Sequence, residues 1–447
     1  MQSNSNYRQG TNLRYYRFRE ITQAFMTSAK QPIFTGYQWF VIAVLAFLQF
    51  TIVLDFMVLS PLGAILMPEL DITPVQFSHL VSAYAYSACI SGILASGFAD
   101  KFDRKKMLLF FYAGFLVGTV FCGLAPDYHS LLIARIITGL FGGVMGAVVF
   151  AITTDLFVMQ VRGRVMGFVQ MAFAASQVLG LPIGLQLANT LNWHAPFVLI
   201  AGIGAVVFFI ILIKLKPITD HLLIQRKVSP FKHLWMTISR KRYLTGFGAT
   251  VLLATGGFML MPFGSAFTVN NLGIDLEHIP LIYMFTGGAT LLAGPIIGRL
   301  SDRIGKYNMF IFGTLLSILL VLIYCNLGIT PLWMAIVINI ILFIGITSRI
   351  ISAQALMSAV PDPQDRGAFM GLNSSIQQLA GGLAASLAGL IVVEEDSGKL
   401  SHYPILGYVV TLAMVITLIM MFIINRMVNA DKKEQPPMPA NNPELAQ

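Results

Sequence analysis

Twelve apolar stretches run through this chain, near residues 39–66, 79–99, 107–125, 131–154, 165–188, 195–215, 244–268, 280–298, 308–327, 331–357, 367–393 and 403–425. A helix of about 20 apolar residues crosses the hydrocarbon core of a bilayer, so each stretch is a candidate span. Composition agrees: 56% of residues are hydrophobic and 11% charged, against roughly a quarter charged in soluble domains. A soluble fold this apolar would have no surface to offer water. In hydrocarbon only helices and closed barrels satisfy every backbone group, and the short alternating strands of a barrel do not occur in the sequence. The expectation is an all-α membrane protein of twelve transmembrane helices, here called spans 1 to 12.

The spans fall into six, a basic linker and six. The domains expected are an N-terminal tail (1–37), a six-helix bundle (38–215), a linker (216–242), a second bundle (243–426) and a C-terminal tail (427–447). From Lys214 to Arg242 the connector carries Lys214, Lys216, Arg226, Lys227, Lys232, Arg240, Lys241 and Arg242 against the single acid Asp220, which suits solvent or lipid headgroups and not catalysis. Short Lys- and Arg-rich loops stay in the cytoplasm. With both termini inside, 26 of the 29 Lys and Arg lie on that side; Lys399 is in an outer loop, and Arg135 and Arg349 fall within spans. The net charge of +9 then reflects topology, and nucleic acid is not an expected partner. No continuous apolar core precedes span 1, which argues against a cleaved signal peptide. Tyr15, Tyr16, Phe18, Ile21 and Phe25, interleaved with arginines, read either as a helix on the inner surface or as a disordered tail; the tail after Lys433 reads as disordered.

One charged phrase occurs twice. Gly97-Phe-Ala-Asp100-Lys-Phe-Asp103-Arg104 follows span 2, and Gly298-Arg-Leu-Ser-Asp302-Arg303-Ile-Gly305-Lys306 follows span 8, Gly298 lying 201 residues after Gly97. An interval near half the chain marks two related halves in one polypeptide. Asp100, just past span 2, is suited to accept from the unpaired N–H groups that open another helix, where the helix dipole favours an anion. The alternative is that these charges only set topology, although topology alone would not require Gly and Asp at fixed spacing.

This twofold loop, together with Ala134-Arg135-Ile-Ile-Thr-Gly139-Leu-Phe-Gly-Gly143 on span 4, Gly180-Leu-Pro182-Ile-Gly184 on span 5 and Asp55-Phe-Met-Val-Leu-Ser-Pro61 on span 1, resembles the major facilitator superfamily over essentially the whole chain. Within it the chain resembles the twelve-helix drug:proton antiporter and sugar-efflux branch. The resemblance implies two pseudo-symmetric six-helix bundles that rock to alternate access, and it implies that the helix receiving Asp100 is span 11, beginning near Gly367. Arg104 is then placed to meet Asp155 at the end of span 4. Such contacts would latch the halves on the cytoplasmic side, with Asp302 and Arg303 acting similarly against the start of span 5. Two departures stand out. Asp103 replaces the second glycine of the first loop, and span 5 carries only part of the Gly-Pro-x-x-Gly-Gly run of antiporters, which leaves uniport or another coupling ion open.

A charged side chain at the centre of a span costs about 2.5–3.5 kcal/mol on insertion scales, so each one retained is a functional candidate. Asp55 and Arg135 share the outer half of the membrane. They form either a fixed salt bridge or a switch, because a carboxylate that gains and loses an arginine partner during a cycle can bind and release a proton. Arg349, deep in span 10, has no acid on the second-half spans to neutralise it, which leaves a structural contact or an anionic substrate. Further cavity candidates are Gln170 and Gln177 on span 5 and Asn373 and Gln377 on span 11; the competing reading is hydrogen bonding between helices. Gly180, Pro182 and Gly184 read as a helix-packing motif.

The sequence offers no metal-ligand or catalytic cluster, and Cys89, Cys122 and Cys325 read as small packing residues. The expected function is proton-coupled efflux of a small organic solute, such as a drug, sugar or metabolite, by a non-enzymatic monomer in a bacterial-type inner membrane, with no cofactor. The alternatives are a facilitator or importer of sugars or organic anions without proton coupling through Asp55, and a transport-inactive receptor or scaffold.

Overall fold

The computed structural model describes residues 34–98, 102–219, 222, 236–362 and 365–434. Contacts divide the chain into Met1–Val44 and Leu45–Gln447. In the first unit the described residues open the helix Gly36–Val58. Its start is capped reciprocally, the Thr35 N–H donating to Gln38 Oε1 at 2.9 Å and the Gln38 N–H to Thr35 Oγ1 at 3.2 Å. The N-terminal tail that the sequence reads as helical or disordered lies outside the described residues, as do most of the linker and the end of the C-terminal tail.

Eleven of the described helices are long and apolar enough to cross a membrane. The other long helix, span 11 at Arg366–Ile391, has 26 residues and includes Asn373, Ser374, Ser375, Gln377 and Gln378, which lower its hydropathy. Span 2 is Pro74–Phe98, span 3 Arg104–Leu124, span 4 Tyr128–Leu156 and span 6 Ala195–Lys214. Spans 8 to 10 are Ile279–Ile304, Lys306–Cys325 and Leu332–Met357, and span 12 is Tyr403–Glu434. Between spans 11 and 12, β1 (Val393–Glu394) and β2 (Leu400–Ser401) pair antiparallel, Val393 opposite Ser401.

Three spans are not the uniform helices that apolar length suggests. Span 1 ends at Val58, turns, and restarts as Gly63–Glu69, because Pro61 disfavours helical geometry in the residue before it. Span 7 does the same: Lys241–Phe258 gives way to a 3-10 turn at Met261–Phe263 and then Gly264–Asn270. Pro262 and Gly264 follow Pro61 and Gly63 by 201 residues, the interval that separates the two loop glycines. Span 5 runs Met159–Ala175, widens into a π segment at Ser176–Gly180 and resumes as Leu181–Thr190.

The two broken tips meet. Ser265 Oγ donates to the Ser60 carbonyl at 3.3 Å, the rings of Phe77 and Phe263 lie 6.1 Å apart, and a Cβ on Gly63 would stand 3.2 Å from the Pro262 carbonyl oxygen. Around them an apolar cluster draws on both halves, with Leu66, Trp193, Phe197, Phe267 and Tyr403 buried in it. This end of Leu45–Gln447 is opposite the basic end, where Arg104, Lys241 and Lys306 begin their helices.

Lipid is as apolar as leucine, so helices associate through close packing and not through hydrophobic exclusion. The contact of spans 2 and 4 shows how: a Cβ on Gly139 would lie 2.4 Å from the Tyr84 carbonyl oxygen, and one on Gly143 would lie 2.4 Å from Ala88 Cα. The two halves join along two seams. On one, the Tyr86 hydroxyl of span 2 hydrogen bonds Ser386 of span 11 at 2.9 Å, with Tyr86 against Gly382 and Ser78 against Gly389. On the other, Gly287 of span 8 lies against the backbone of Gln177 and Val178 in the π segment of span 5.

Candidate functional site

Asp55 lies one turn before the break in span 1, and Arg135 lies two turns into span 4. Their side chains are 0% and 1% exposed and meet at 2.8 Å, Arg135 Nη1 to Asp55 Oδ2. The same Nη1 also donates to the Asp55 carbonyl at 3.3 Å. The Thr119 hydroxyl of span 3 donates to Asp55 Oδ1 at 3.2 Å, and the Arg135 guanidinium sits 4.7 Å from the centre of the Tyr84 ring. Arg135 Nε is buried with no hydrogen-bond partner. Burying both charges is costly unless geometry and extra hydrogen bonds compensate, and here Thr119 and Tyr84 supply part of that compensation. Neither stands out in the sequence, since a threonine or tyrosine in a span is ordinary.

Span 5 holds Asp55 in register. Ser176 Oγ donates to the Phe50 carbonyl at 3.1 Å, a Cβ on Gly180 would come 2.6 Å from Leu54 Cδ1, and one on Gly184 would come 3.1 Å from Val58 Cγ2. Ser176, Gly180 and Gly184 thus match Phe50, Leu54 and Val58 turn for turn, four residues apart on both helices. Pro182 lies on this segment at the start of Leu181–Thr190. On the other side Phe56 bridges outward, its ring 5.2 Å from Tyr84 and 5.7 Å from Phe258 of span 7, so the ion pair is linked through aromatic contacts to the second half.

Arg349 on span 10 is 4% exposed. Its Nε and Nη2 are buried without a hydrogen-bond partner, and no carboxylate among the described residues pairs with it. Its guanidinium lies 5.9 Å from the centre of the Phe310 ring and faces Gly256 of span 7, where a Cβ would be 3.6 Å from Nη1 and 4.0 Å from Nη2.

The polar candidates separate. Asn373 is half-buried and accepts from Thr250 of span 7 at 2.6 Å. Gln377 and Gln170 are exposed, and Gln177 is half-buried in the π segment. At the basic end Arg104 Nε meets Asp155 Oδ2 at 2.9 Å. Both residues belong to the first half, so this pair is not itself a bridge between halves. Asp302 pairs with Lys306 one turn on, and Arg303 is exposed. Gly298 has open space around it. Gly97 is the penultimate residue of Pro74–Phe98, and Asp100 lies outside the described residues.

A second charged group was not legible in the sequence. Arg240, a linker charge in the sequence, contacts Asp362 at 2.8 Å and Asp365 at 2.7 Å, and the Tyr243 hydroxyl donates to Asp365 at 2.8 Å. These contacts tie the start of span 7 to the connection between spans 10 and 11.

Among the described residues no three His, Cys, Asp or Glu side chains group to hold a metal ion. The chain is 26% identical over 270 residues to the uncharacterized MFS-type transporter YceJ of Bacillus subtilis, covering 60% of this chain and 68% of that one. It is 24% identical over 336 residues to a bicyclomycin resistance protein homolog of Haemophilus influenzae, covering 71% and 81%. The fold matches a bacterial homolog of the human lysosomal transporter Spinster with a TM-score of 0.66 at 17% identity, over 91% of this chain and 100% of the other. The sequence profile of the Major Facilitator Superfamily matches residues 45–385 and, again, 246–445. The second match starts near the head of span 7, as a duplicated half requires. This multi-pass membrane chain, with its paired loops and paired helix breaks, belongs to the Major Facilitator Superfamily of transporters.

Proposed function

We propose that this transporter couples the movement of protons to the export of a small organic solute by alternating access, in a bacterial-type inner membrane with both termini in the cytoplasm. The observation that carries the reading is the fully buried Asp55–Arg135 pair. Asp55 is the proton acceptor: protonation removes its charge, loosens the hold of Arg135, and so biases the exchange between the two access states. Arginine stays charged throughout, so Arg135 responds to the state of Asp55 without itself titrating. The aromatic path from Tyr84 through Phe56 to Phe258 gives the change a route to the second half. The driving force is ample, since a membrane potential supplies about 2.3 kcal/mol per charge per 100 mV. At the basic end Arg104–Asp155 braces the first half, and closing of that end falls to Asp302 and Arg303. The bicyclomycin resistance homolog among the relatives supports a drug-like cargo.

The test is proton movement by the purified protein in liposomes against a panel of drugs, sugars and organic anions, for wild type and Asp55→Asn. Substrate-dependent proton flux is expected in wild type and absent in the variant. Flux that survives the substitution would sink the assignment of Asp55.

A further inference from the structure

The two halves repeat at an interval of 201 residues, seen in Gly97 and Gly298 and again in Pro61 and Pro262. Counted from the prolines, the residue of span 7 equivalent to Asp55 is Gly256. Each half therefore places a buried arginine beside this one position. In the first half Arg135 finds the Asp55 carboxylate there. In the second, Arg349 faces a glycine, and its Nε and Nη2 are left without partners.

We propose that this place is taken by an anion from outside the chain: the second half binds a small anionic group, a halide or the carboxylate or phosphate of a solute, between Arg349 and Gly256. Three features fit. Arg349 is 96% shielded (4% exposed), so its charge is not met by bulk solvent, and a charge in a low-dielectric interior needs a counter-charge. Two N–H-bearing nitrogens of one guanidinium, Nε and Nη2, are buried without a hydrogen-bond partner in the chain, and such a pair is the fork that grips carboxylate and phosphate oxygens two at a time. A Cβ on Gly256 would meet Arg349 Nη1 and Met414 Cε, each at 3.6 Å, so the position accepts an added atom at ordinary contact distance. Anion binding at Arg349 does not depend on proton coupling through Asp55.

The experiment follows the thermal unfolding midpoint of the full-length purified protein at constant ionic strength as isethionate is replaced by chloride, bromide, acetate or inorganic phosphate. Wild type is expected to show a saturable rise with at least one of these anions. That rise is expected to disappear in Arg349→Met and also in Gly256→Asp, which supplies an internal carboxylate as the first half does. A response to halides alone assigns a resident inorganic ion. A response to acetate or phosphate, accompanied by uptake of organic anions into liposomes that Gly256→Asp abolishes, assigns the solute. No saturable response in wild type, or an undiminished one in Arg349→Met, overturns the site. If Arg349→Met does not fold, Gly256→Asp decides, because it keeps the arginine, and an unchanged response there overturns the proposal equally.

Discussion

Asp103 and Gly305 hold the N-cap positions of spans 3 and 9 at the ends of the two charged loops, yet their backbones differ, with φ of −54° at Asp103 and +97° at Gly305. The second loop needs glycine because positive φ strains any other side chain. The first loop avoids that conformation and uses the side chain instead. Asp103 Oδ1 accepts from the Lys105 N–H at 2.9 Å, capping span 3, and from the Ile218 N–H at 3.0 Å, tying down the chain beyond span 6. Gly305→Ala is therefore expected to destabilise by about 1–3 kcal/mol, and Asp103→Ala by about 0.5–2 kcal/mol for the cap, with Asp103→Asn recovering most of it. Thermal unfolding of the purified variants checks this. An Asp103→Ala protein as stable as wild type would mean the cap is idle.

The buried pair makes a sharper demand. Removing one partner of a buried ion pair leaves an uncompensated charge and costs about 3–5 kcal/mol, whereas replacing both by apolar residues is far milder. Arg135→Met is expected to be strongly destabilised and Asp55→Leu/Arg135→Met less so, although it carries two changes. A double-mutant cycle read by unfolding in detergent measures the coupling. Additive effects would place the charges in water and contradict the burial of both side chains.

How much of this was legible depends on where each residue stands. Asp55, Arg135 and Arg349 are conspicuous in sequence because charge is rare in apolar spans, and the loop glycines and acids because they recur. Arg240, Asp362 and Asp365 are equally charged, but they lie in connections where charge is ordinary, and their meeting depends on a chain separation of more than a hundred residues. Tyr84 and Thr119 serve the ion pair through positions that composition does not mark. The helix breaks could have been read from Pro61 and Pro262 at their shared interval. The π segment at Ser176–Gly180 could not, since it follows from the fit of span 5 against spans 1 and 8.

Asp127 gives a pH dependence outside the spans. It caps span 4 reciprocally with Ser130, accepting from the Ser130 N–H at 2.9 Å while its own N–H donates to Ser130 Oγ at 3.3 Å. The Ser130 backbone N–H holds its carboxyl below the ordinary value of 3.8. Because the folded value is depressed, the ionised cap contributes its full stability above pH 3.8 and loses it as pH falls through the folded value. The stability gap between wild type and Asp127→Ala should be flat at higher pH and narrow in acid. A gap constant down to about pH 2, well below the usual carboxylate range, would show that the charge on Asp127 is immaterial.

The seam between spans 2 and 11 tests alternating access directly. A Cβ on Gly92 would lie 2.9 Å from Ser375 Oγ, so cysteines at these two positions are close to the geometry of a disulfide, whose Cβ atoms sit about 3.5–4.5 Å apart. Cys89, Cys122 and Cys325 are buried and free, and their replacement gives a background in which only the new pair can react. Oxidation of Gly92→Cys/Ser375→Cys should then join the two halves through one covalent bond. If transport requires the halves to rock about this seam, the cross-linked protein stops carrying solute and reduction restores it. Each single cysteine variant controls for crowding at Gly92. Full transport by a protein shown to be cross-linked would fix this seam as a static hinge, and the moving surface would then have to be the contact of span 8 with the π segment of span 5.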